Sequence, residues 1–365
     1  MRILISRFAQ EVGGAEKSFF AHISALQALG HEVHAFTNLP LPDYLETPQT
    51  DALWFRRSNQ LYKGLISPVQ VGQAVRMVRR VRPDIINAHS RFDQILLTLL
   101  KPLHGTPVVW KDPVELRQRL VTDTLASKLD ARALRRADAV YVLSAEQQQQ
   151  LAAVLPSRLR HLSLDIVPSG IDFSRYDTEA RPLWPSEKLT IGYGARLHPA
   201  KGVDDLIRAY AAVGEPSETE LLIMGDGEDK QRLQSLVEEL GIAEVVHFLP
   251  YSEDVSGFLR SLDIYVCPSH YESWGLGVHE ARLFGLPIIA TNVGGLTEQI
   301  VHESNGLLVP PQDVEALGEA IARCVADDKL RFRLGEAAAA DARERGDFTQ
   351  TVEEQLLPIF RRCLS

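Results

Sequence analysis

The sequence predicts an α/β protein made of two doubly wound domains, each with a parallel sheet. Short apolar runs alternate with amphipathic runs of helical length along the chain, an order that is typical of parallel sheets covered by helices. Glycines follow several apolar runs at the point where a strand would turn into a helix. A stretch rich in proline and charge, residues 168–188, separates two such series. Within it, residues 173–188 are the predicted linker.

The first series defines a domain over residues 1–172. Its strands are predicted at Arg2–Ser6, Glu32–Thr37, Ile85–Ala88, Pro107–Trp110 and Ala139–Leu143. Its helices are predicted at 15–29, 68–81, 93–103 and 124–136, and Ser144 is a candidate N-cap for one more. Residues 39–60 have no regular pattern, and we expect a loop there.

The second series defines a domain over residues 189–346. Its strands are predicted at 189–193, 220–224, 245–249, 264–267 and 287–291, and its helices at 204–212, 230–240, 278–284 and 314–326. Residues 347–365 contain a final helix. Because ligands of such folds bind at the carboxyl ends of parallel strands, we expect the two domains to face each other across a cleft.

Residues 263–298 hold the most informative pattern. Two apolar runs, Ile264–Cys267 and Pro287–Thr291, each lead into a turn with glycines and then into a helix. Backbone N–H groups at such turns, aided by the helix dipole, form an anion site. Glu272 lies in the first turn and Glu280 about one turn into the helix, so both carboxylates can reach one ligand. N–H groups for a diphosphate and carboxylates for hydroxyls suit a sugar nucleotide.

Composition is that of an ordinary water-soluble chain. The 365 residues are 45% hydrophobic and 24% charged, and no apolar run reaches the roughly 18 residues that a membrane span needs. Residues 1–6 are too short for a signal peptide and are predicted as a strand. Cys267, Cys324 and Cys363 are widely spaced, which indicates reduced thiols in a cytoplasmic protein.

Charge is unevenly distributed. Residues 1–180 contain 22 Lys and Arg against 18 Asp and Glu, whereas the rest contains 17 against 30. Arg76, Arg79, Arg80 and Arg82 form a basic cluster in the first half. The cluster is either a solvated helix face or a peripheral contact with anionic lipid or an anionic acceptor. The acidic net charge argues against a nucleic-acid partner.

Several segments resemble the retaining glycosyltransferases of family 4. They are E-S-W-G-L-G-V-H-E at 272–280, G-L-P-I-I-A-T-N-V-G-G-L-T-E at 285–298, N-G-L-L-V-P-P at 305–311, G-A-R-L-H-P-A-K-G at 194–202 and G-G-A-E at 13–16. The likeness is strong from about 190 to 312 and weaker before that. It implies the GT-B fold, in which two Rossmann-like domains face a cleft and the last helix returns to the first domain.

The resemblance also implies roles for individual residues. Arg196 and Lys201 would stabilise the leaving diphosphate, Glu280 would bind the ribose hydroxyls, and Glu272 would orient the transferred sugar. The remaining donor-binding positions are those of glycine loops and the backbone beside them: Gly13, Gly14, Gly194, Gly225, Trp274, Gly275 and Leu276. Gly13 and Gly14 equally suit a helix-entry turn, and Trp274 equally suits the core.

The sequence departs from the family after the strand at 107–110. Many members have a histidine there that contacts the transferred sugar, whereas this chain reads V-V-W-K-D and places Lys111 in that position. Lys111 can donate hydrogen bonds to a sugar or an acceptor but does not titrate near neutral pH as histidine does. His89, after the preceding strand, could substitute in part or be structural.

The expected activity is transfer of a hexose-type sugar from a nucleoside diphosphate sugar to a hydroxyl of a glycan or lipid-linked acceptor, as in polysaccharide or lipopolysaccharide synthesis. No metal or separate cofactor is expected, because D-x-D, H-E-x-x-H and C-x-x-C are absent from the sequence. Two alternatives remain: a sugar-nucleotide-binding partner subunit without catalysis, which the Lys111 departure keeps open, and a sugar-nucleotide epimerase.

Overall fold

The computed structural model describes residues 1–9, 14–43, 45, 68–111, 125–155, 162–213 and 218–365. These form two compact units, Met1–Asp172 together with Asp347–Ser365, and Phe173–Gly346. Each unit has a parallel sheet of six described strands with helices packed on it. The predicted fold class, two doubly wound α/β domains, is confirmed.

The first sheet has strand order β2-β1-β3-β4-β5-β6. Its strands are β1 Arg2–Arg7, β2 Glu32–Thr37, β3 Ile85–Ala88, β4 Val108–Lys111, β5 Ala139–Val142 and β6 Leu164–Ile166. Alternate side chains of β1 enter different cores, because successive residues of a strand point to opposite faces. Leu4 packs with Trp110 on one face, while Ile3 and Ile5 pack with Phe19 on the other. Both faces are therefore buried.

Six helices belong to this part of the chain: α1 Gly14–Ala28, α2 Pro68–Val81, α3 Arg91–Leu99, α4 Lys101–His104, α5 Leu125–Leu134 and α6 Ala145–Val154. Ser144 caps α6 as predicted, since its side chain accepts from the Gln147 N–H. The single helix predicted over 93–103 is wrong: α3 and α4 are separate helices that meet at Leu100. The predicted loop at 39–60 lies largely outside the described residues.

The second sheet has strand order β12-β11-β10-β7-β8-β9. Its strands are β7 Leu189–Gly194, β8 Thr219–Met224, β9 Val246–Leu249, β10 Ile264–Cys267, β11 Ile288–Thr291 and β12 Leu307–Val309. Neighbouring strands all pair in parallel. The order reverses between β7 and β10, so this pair forms the topological switch point at which open α/β sheets bind ligands.

Helices of the second unit include α7 Val203–Val213, α8 Lys230–Glu239, α9 Val255–Leu259, α10 Leu276–Leu283, α11 Leu296–Gln299, α12 Val314–Ala326 and α13 Asp328–Arg345. The sequence analysis missed α13, because alanines fill much of it and its apolar periodicity is weak. It also missed the two three-residue edge strands β6 and β12. Residues 173–188, predicted as a linker, belong to the second unit.

The C-terminal residues form a continuous helical segment of the first unit: Phe348–Thr351, a π-helical stretch Val352–Leu356, and Leu357–Leu364. Its apolar side chains, among them Phe348 and Phe360, enter the same core as Ile3 and Ile5. Gly170 touches this segment closely, since a Cβ there would lie 2.5 Å from the Phe348 ring. Within the described ranges, no helix is both long and apolar enough to cross a membrane.

Candidate functional site

The switch point of the second sheet gathers the predicted site residues of that unit. β7 leads into the loop that carries Arg196 and Lys201, and β10 leads into the loop that carries Glu272. The two loops are joined where the His270 N–H donates to the Ala200 carbonyl at 2.9 Å. Because β7 and β10 pair directly, residues 70 positions apart in sequence meet at one sheet edge.

Lys201 and Glu272 form an ion pair at this edge. Lys201 Nζ lies 2.5 Å from Glu272 Oε2, and both side chains are mostly buried. Burial lowers the pKa of Lys201, but the adjacent Glu272 carboxylate raises it, and the result lies above the ordinary value. Lys201 is therefore a fixed cation, held by Glu272, at the place where the sequence predicts the leaving diphosphate. Arg196 is exposed on the same loop.

Glu280 lies one turn inside α10, the helix that starts beside this loop. Gly275 is the residue before α10 and has φ +88°, the left-handed region that favours glycine. Glu280 is 7% exposed, and the Tyr176 hydroxyl donates to its Oε1 at 2.7 Å. Sequence analysis missed Tyr176, because 104 positions separate the pair and neither residue's local pattern indicates the other.

Glycines in the predicted donor loops allow backbones to touch. A Cβ at Gly225 would lie 1.9 Å from the Ala195 carbonyl oxygen, and one at Gly294 would lie 1.8 Å from the Glu272 carbonyl oxygen. Both glycines also have positive φ. Gly225 thus packs the loop after β8 against the loop after β7, and Gly294 supports the Glu272 turn from the loop after β11. Gly194 is the last residue of β7.

The Trp274 side chain is a core residue, with 3% of its surface exposed. Its carbonyl accepts from the Gln299 side chain, which fixes the backbone just before Gly275. Leu276 is the first residue of α10. The backbone of residues 274–276 therefore leads into the amino end of α10, where the resemblance implies phosphate or sugar contact.

In the first unit, Lys111 and His89 are both 5% exposed and belong to one buried polar cluster. Lys111 Nζ donates to Ser18 Oγ at 2.7 Å. The Tyr141 hydroxyl lies 3.4 Å from ring nitrogens of both His22 and His89. Burial, and then the Lys111 charge, hold the pKa of each imidazole well below its ordinary value. The cluster therefore contains one cation and two neutral imidazoles.

The glycine loop of the first unit is described only in part. Gly14 begins α1, whereas Gly13 lies outside the described residues. Nearby, Arg7 at the end of β1 pairs with the buried Glu16 at 2.7 Å and donates to the His89 carbonyl at 2.9 Å. These contacts connect the carboxyl ends of β1 and β3, which form the switch point of the first sheet.

One group of three potential metal-ligating side chains occurs among the described residues: Asp204, Asp205 and His270. His270 Nε2 lies 2.7 Å from Asp205 Oδ2, and Arg232 lies 3.2 Å from Asp204 Oδ2. Each acidic residue thus already contacts a nitrogen donor. These contacts account for the group as a packing cluster that seats the His270 loop on the start of α7.

Comparison with known proteins gives matches along nearly the whole chain. The family model described as Glycosyltransferase Family 4 matches residues 12–175, and the one described as Glycosyl transferases group 1 matches residues 175–341. This chain belongs to the family 4 glycosyltransferases. A D-inositol 3-phosphate glycosyltransferase of Saccharomonospora viridis is 31% identical over 241 residues, which cover 61% of this chain and 54% of the relative. The chain spans about half the length of the curated relatives that it matches.

Solved structures share the GT-B fold of this chain. Sucrose-phosphate synthase from Thermosynechococcus elongatus has a TM-score of 0.78 at 20% identity, with 99% of this chain and 98% of that one covered. Anabaena HepE in complex with UDP-glucose also has a TM-score of 0.78, at 21% identity, with 98% and 99% covered. At these identities the similarity shows the fold alone.

The basic cluster is exposed on α2 and at the residue that follows it. Arg76, Arg79, Arg80 and Arg82 all face solvent, while Ala74 and Val78 on the opposite side of the helix are buried in the core. The cluster is therefore accessible on the surface of the first unit. Contact with an anionic lipid or acceptor stays a prediction.

Proposed function

We propose that this glycosyltransferase binds a nucleoside diphosphate sugar at the switch point of its second sheet and transfers the sugar with retention of configuration. One observation carries the proposal. The β7 and β10 loops bring the Lys201–Glu272 ion pair to the amino end of α10, which also carries Glu280. In this proposal Lys201 faces the diphosphate, Glu272 the transferred sugar and Glu280 the ribose. HepE, which shares the fold, is known in complex with UDP-glucose.

The charge of the site suits departure of a diphosphate. Negative charge grows on the leaving oxygen as the bond to the sugar C1 breaks, and a fixed cation lowers that barrier by several kcal/mol, about 2.7–4 for one lost donor. Lys201 supplies a cation that Glu272 holds in place, and Arg196 lies on the same loop. Helix N–H groups at 274–276 add to this stabilisation.

Retention is proposed from the resemblance to the retaining glycosyltransferases of family 4. Glu272 pairs with Lys201 and Glu280 accepts a hydrogen bond from Tyr176, and neither carboxylate is assigned the role of a nucleophile. We therefore propose same-face attack, in which the acceptor hydroxyl forms the new bond to C1 while its proton passes to an oxygen of the departing diphosphate. The acceptor would be a hydroxyl of a glycan or lipid-linked molecule. No metal ion or separate cofactor is assigned a role.

Thermal shift and calorimetry with a panel of nucleoside diphosphates and sugar nucleotides, with and without EDTA, test the proposal. We expect one sugar nucleotide to raise the melting temperature, EDTA to leave that shift unchanged, and Glu280→Ala to abolish it. Incubation of that donor with candidate acceptors, followed by NMR of the product, should show the anomeric configuration of the donor.

Each contrary result has a distinct meaning. If no nucleotide stabilises the wild type, the donor site is refuted. If binding occurs and no acceptor or water ever receives the sugar, the chain is a sugar-nucleotide-binding subunit without catalysis. Isomerised donor without transfer would instead identify an epimerase. Loss of turnover with EDTA would refute metal independence.

A further inference from the structure

The segment that opens the second unit lies along α10. The Phe173 ring is centred 6.3 Å from the His279 ring, and the Tyr176 ring is centred 6.4 Å from the Phe284 ring. These two contacts place residues 173–176 beside the face of α10 that also carries Glu280. These residues belong to the predicted linker at 173–188, which the structure places in the second unit.

The segment is anchored at its far end by backbone hydrogen bonds. The Asp177 N–H donates to Ser256 Oγ at 3.1 Å, and the Leu183 N–H donates to the Gly257 carbonyl at 2.9 Å. Tyr176 is thus held between ring packing on one side and fixed backbone on the other. The ring contact with Phe284 and the backbone hydrogen bond of Asp177 therefore fix the position from which the Tyr176 hydroxyl donates to Glu280.

Glu280 needs such a support because it is a buried carboxylate. A carboxylate with 7% exposure is costly to bury unless donors solvate it. The Tyr176 hydroxyl donates such a hydrogen bond at 2.7 Å to Oε1. The same hydrogen bond restricts rotation of the carboxylate plane about its terminal torsion, which is otherwise broad.

We propose that Tyr176 is a positioning residue that orients the Glu280 carboxylate for the hydroxyls of the nucleotide ribose. The inference rests on the proposed function, in which Glu280 binds that ribose. Without the Tyr176 hydroxyl, the carboxylate samples orientations in which ribose hydroxyls no longer find its lone pairs. Tyr176 then sets selectivity for ribose over deoxyribose nucleotides without touching the ligand itself.

Calorimetry with UDP and its 2′-deoxy and 3′-deoxy analogues tests the role of Tyr176. If the panel selects another ribonucleoside diphosphate, that nucleotide and its deoxy forms replace them. Tyr176→Phe keeps the ring against Phe284 and removes only the hydroxyl. We expect Tyr176→Phe to raise the Kd for UDP about tenfold, because a misoriented Glu280 loses about one hydrogen bond from a ribose hydroxyl. One deoxy analogue lacks the hydroxyl that Glu280 binds. For that analogue, the Kd of Tyr176→Phe should stay within twofold of the Kd of the wild type.

Tyr210→Phe is the matched control. It removes a buried tyrosine hydroxyl that bonds Thr219 Oγ1 at 3.2 Å, and Thr219 begins β8 at the sheet edge opposite the site. Nucleotide affinity should not change. A double variant, Tyr176→Phe with Glu280→Gln, should bind UDP as Glu280→Gln alone does, because the tyrosine acts only through the carboxylate.

The outcomes separate this inference from the proposed function. A wild type that binds no nucleoside diphosphate refutes the donor site, and the role of Tyr176 falls with it. A wild type that binds UDP while Tyr176→Phe binds equally well refutes only the positioning role. Equal weakening of UDP and both deoxy analogues would show a general structural effect and also overturn it. Melting temperatures of all variants, and the Glu280→Gln cycle, cover the case in which Tyr176→Phe folds poorly.

Discussion

The pKa of Lys201 is set by two opposing features of its surroundings. The residue is mostly buried, which alone lowers the pKa of the ammonium, yet the Glu272 carboxylate raises that pKa overall. The pair therefore keeps a cation at the carboxyl end of β7. Surface ion pairs of similar length have no such role, since solvent screens them.

Lys201→Met should reduce turnover roughly 100- to 1000-fold, the range for removing one electrostatic donor from a transition state. Because it also leaves the mostly buried Glu272 carboxylate without its cation, the free energy of unfolding should fall as well, by up to about 3–5 kcal/mol. Lys101→Met is the control. Lys101 has the same 28% side-chain exposure as Lys201 and pairs with Asp138 at 2.6 Å. Asp138 precedes β5, so this pair lies at the amino ends of the strands of the first sheet. Steady-state kinetics in which both variants keep turnover would refute the catalytic role of Lys201.

At the scale of elements, the site depends on how closely the loops at the sheet edge approach each other. Gly294 has φ +50°, and a Cβ there would lie 1.8 Å from the Glu272 carbonyl oxygen. That oxygen belongs to the turn between β10 and α10, and so the loop after β11 fixes the position of Glu272. A side chain at 294 must displace one loop or the other.

Gly294→Ala should therefore weaken catalysis strongly, by about 100-fold, because displacements near 1 Å in a catalytic site cost that much. Gly241→Ala is the matched control. Gly241 has φ +69° with nothing within 4 Å of a built Cβ, so only the backbone strain, about 1 kcal/mol, should appear. Equal turnover in the two variants would show that the contact of Gly294 with the Glu272 turn is unimportant.

At the scale of the whole molecule, the two units should respond differently to acid. His22, His31, His89 and His104 all belong to the first unit, and burial is the main cause of a lowered pKa in each. The unfolded chain takes up protons at these histidines near pH 6.5, whereas in the folded unit the same histidines take up protons only at lower pH. The stability that these four histidines contribute is therefore present above about pH 6.5 and is lost as pH falls below it. Asp93 of the same unit acts in the opposite direction, because burial raises its pKa to about 7, and we expect the four histidines to outweigh this one carboxyl.

Hydrogen exchange followed by mass spectrometry at pH 7 and pH 5, corrected for intrinsic rates, checks this expectation. Protection of β1, β3 and β5 should fall more at pH 5 than protection of β7, β8 and β10. Lys111→Met removes the cation that faces His22 and His89, and it should reduce the acid sensitivity. A larger acid effect in the second unit would contradict the assignment.

The sequence by itself determined the fold class and most of the elements, because alternation of buried strands with amphipathic helices is a local pattern. Glycine turns and the charges that flank them singled out Glu272 and Glu280, whereas Arg196 and Lys201 were predicted from the resemblance to family 4. The weak periodicity of α13 and the three-residue strands β6 and β12 left no local pattern of that kind.

Only the tertiary structure decided which side chains meet. The hydrogen bond from Tyr176 to Glu280 and the ion pair of Lys201 with Glu272 join residues 104 and 71 positions apart. The contact of Lys111 with Ser18 spans 93 positions. Strand order brings Lys201 to Glu272, because β7 and β10 pair although two strands lie between them in sequence. A local pattern predicts where each strand ends, and parallel packing decides which ends are neighbours.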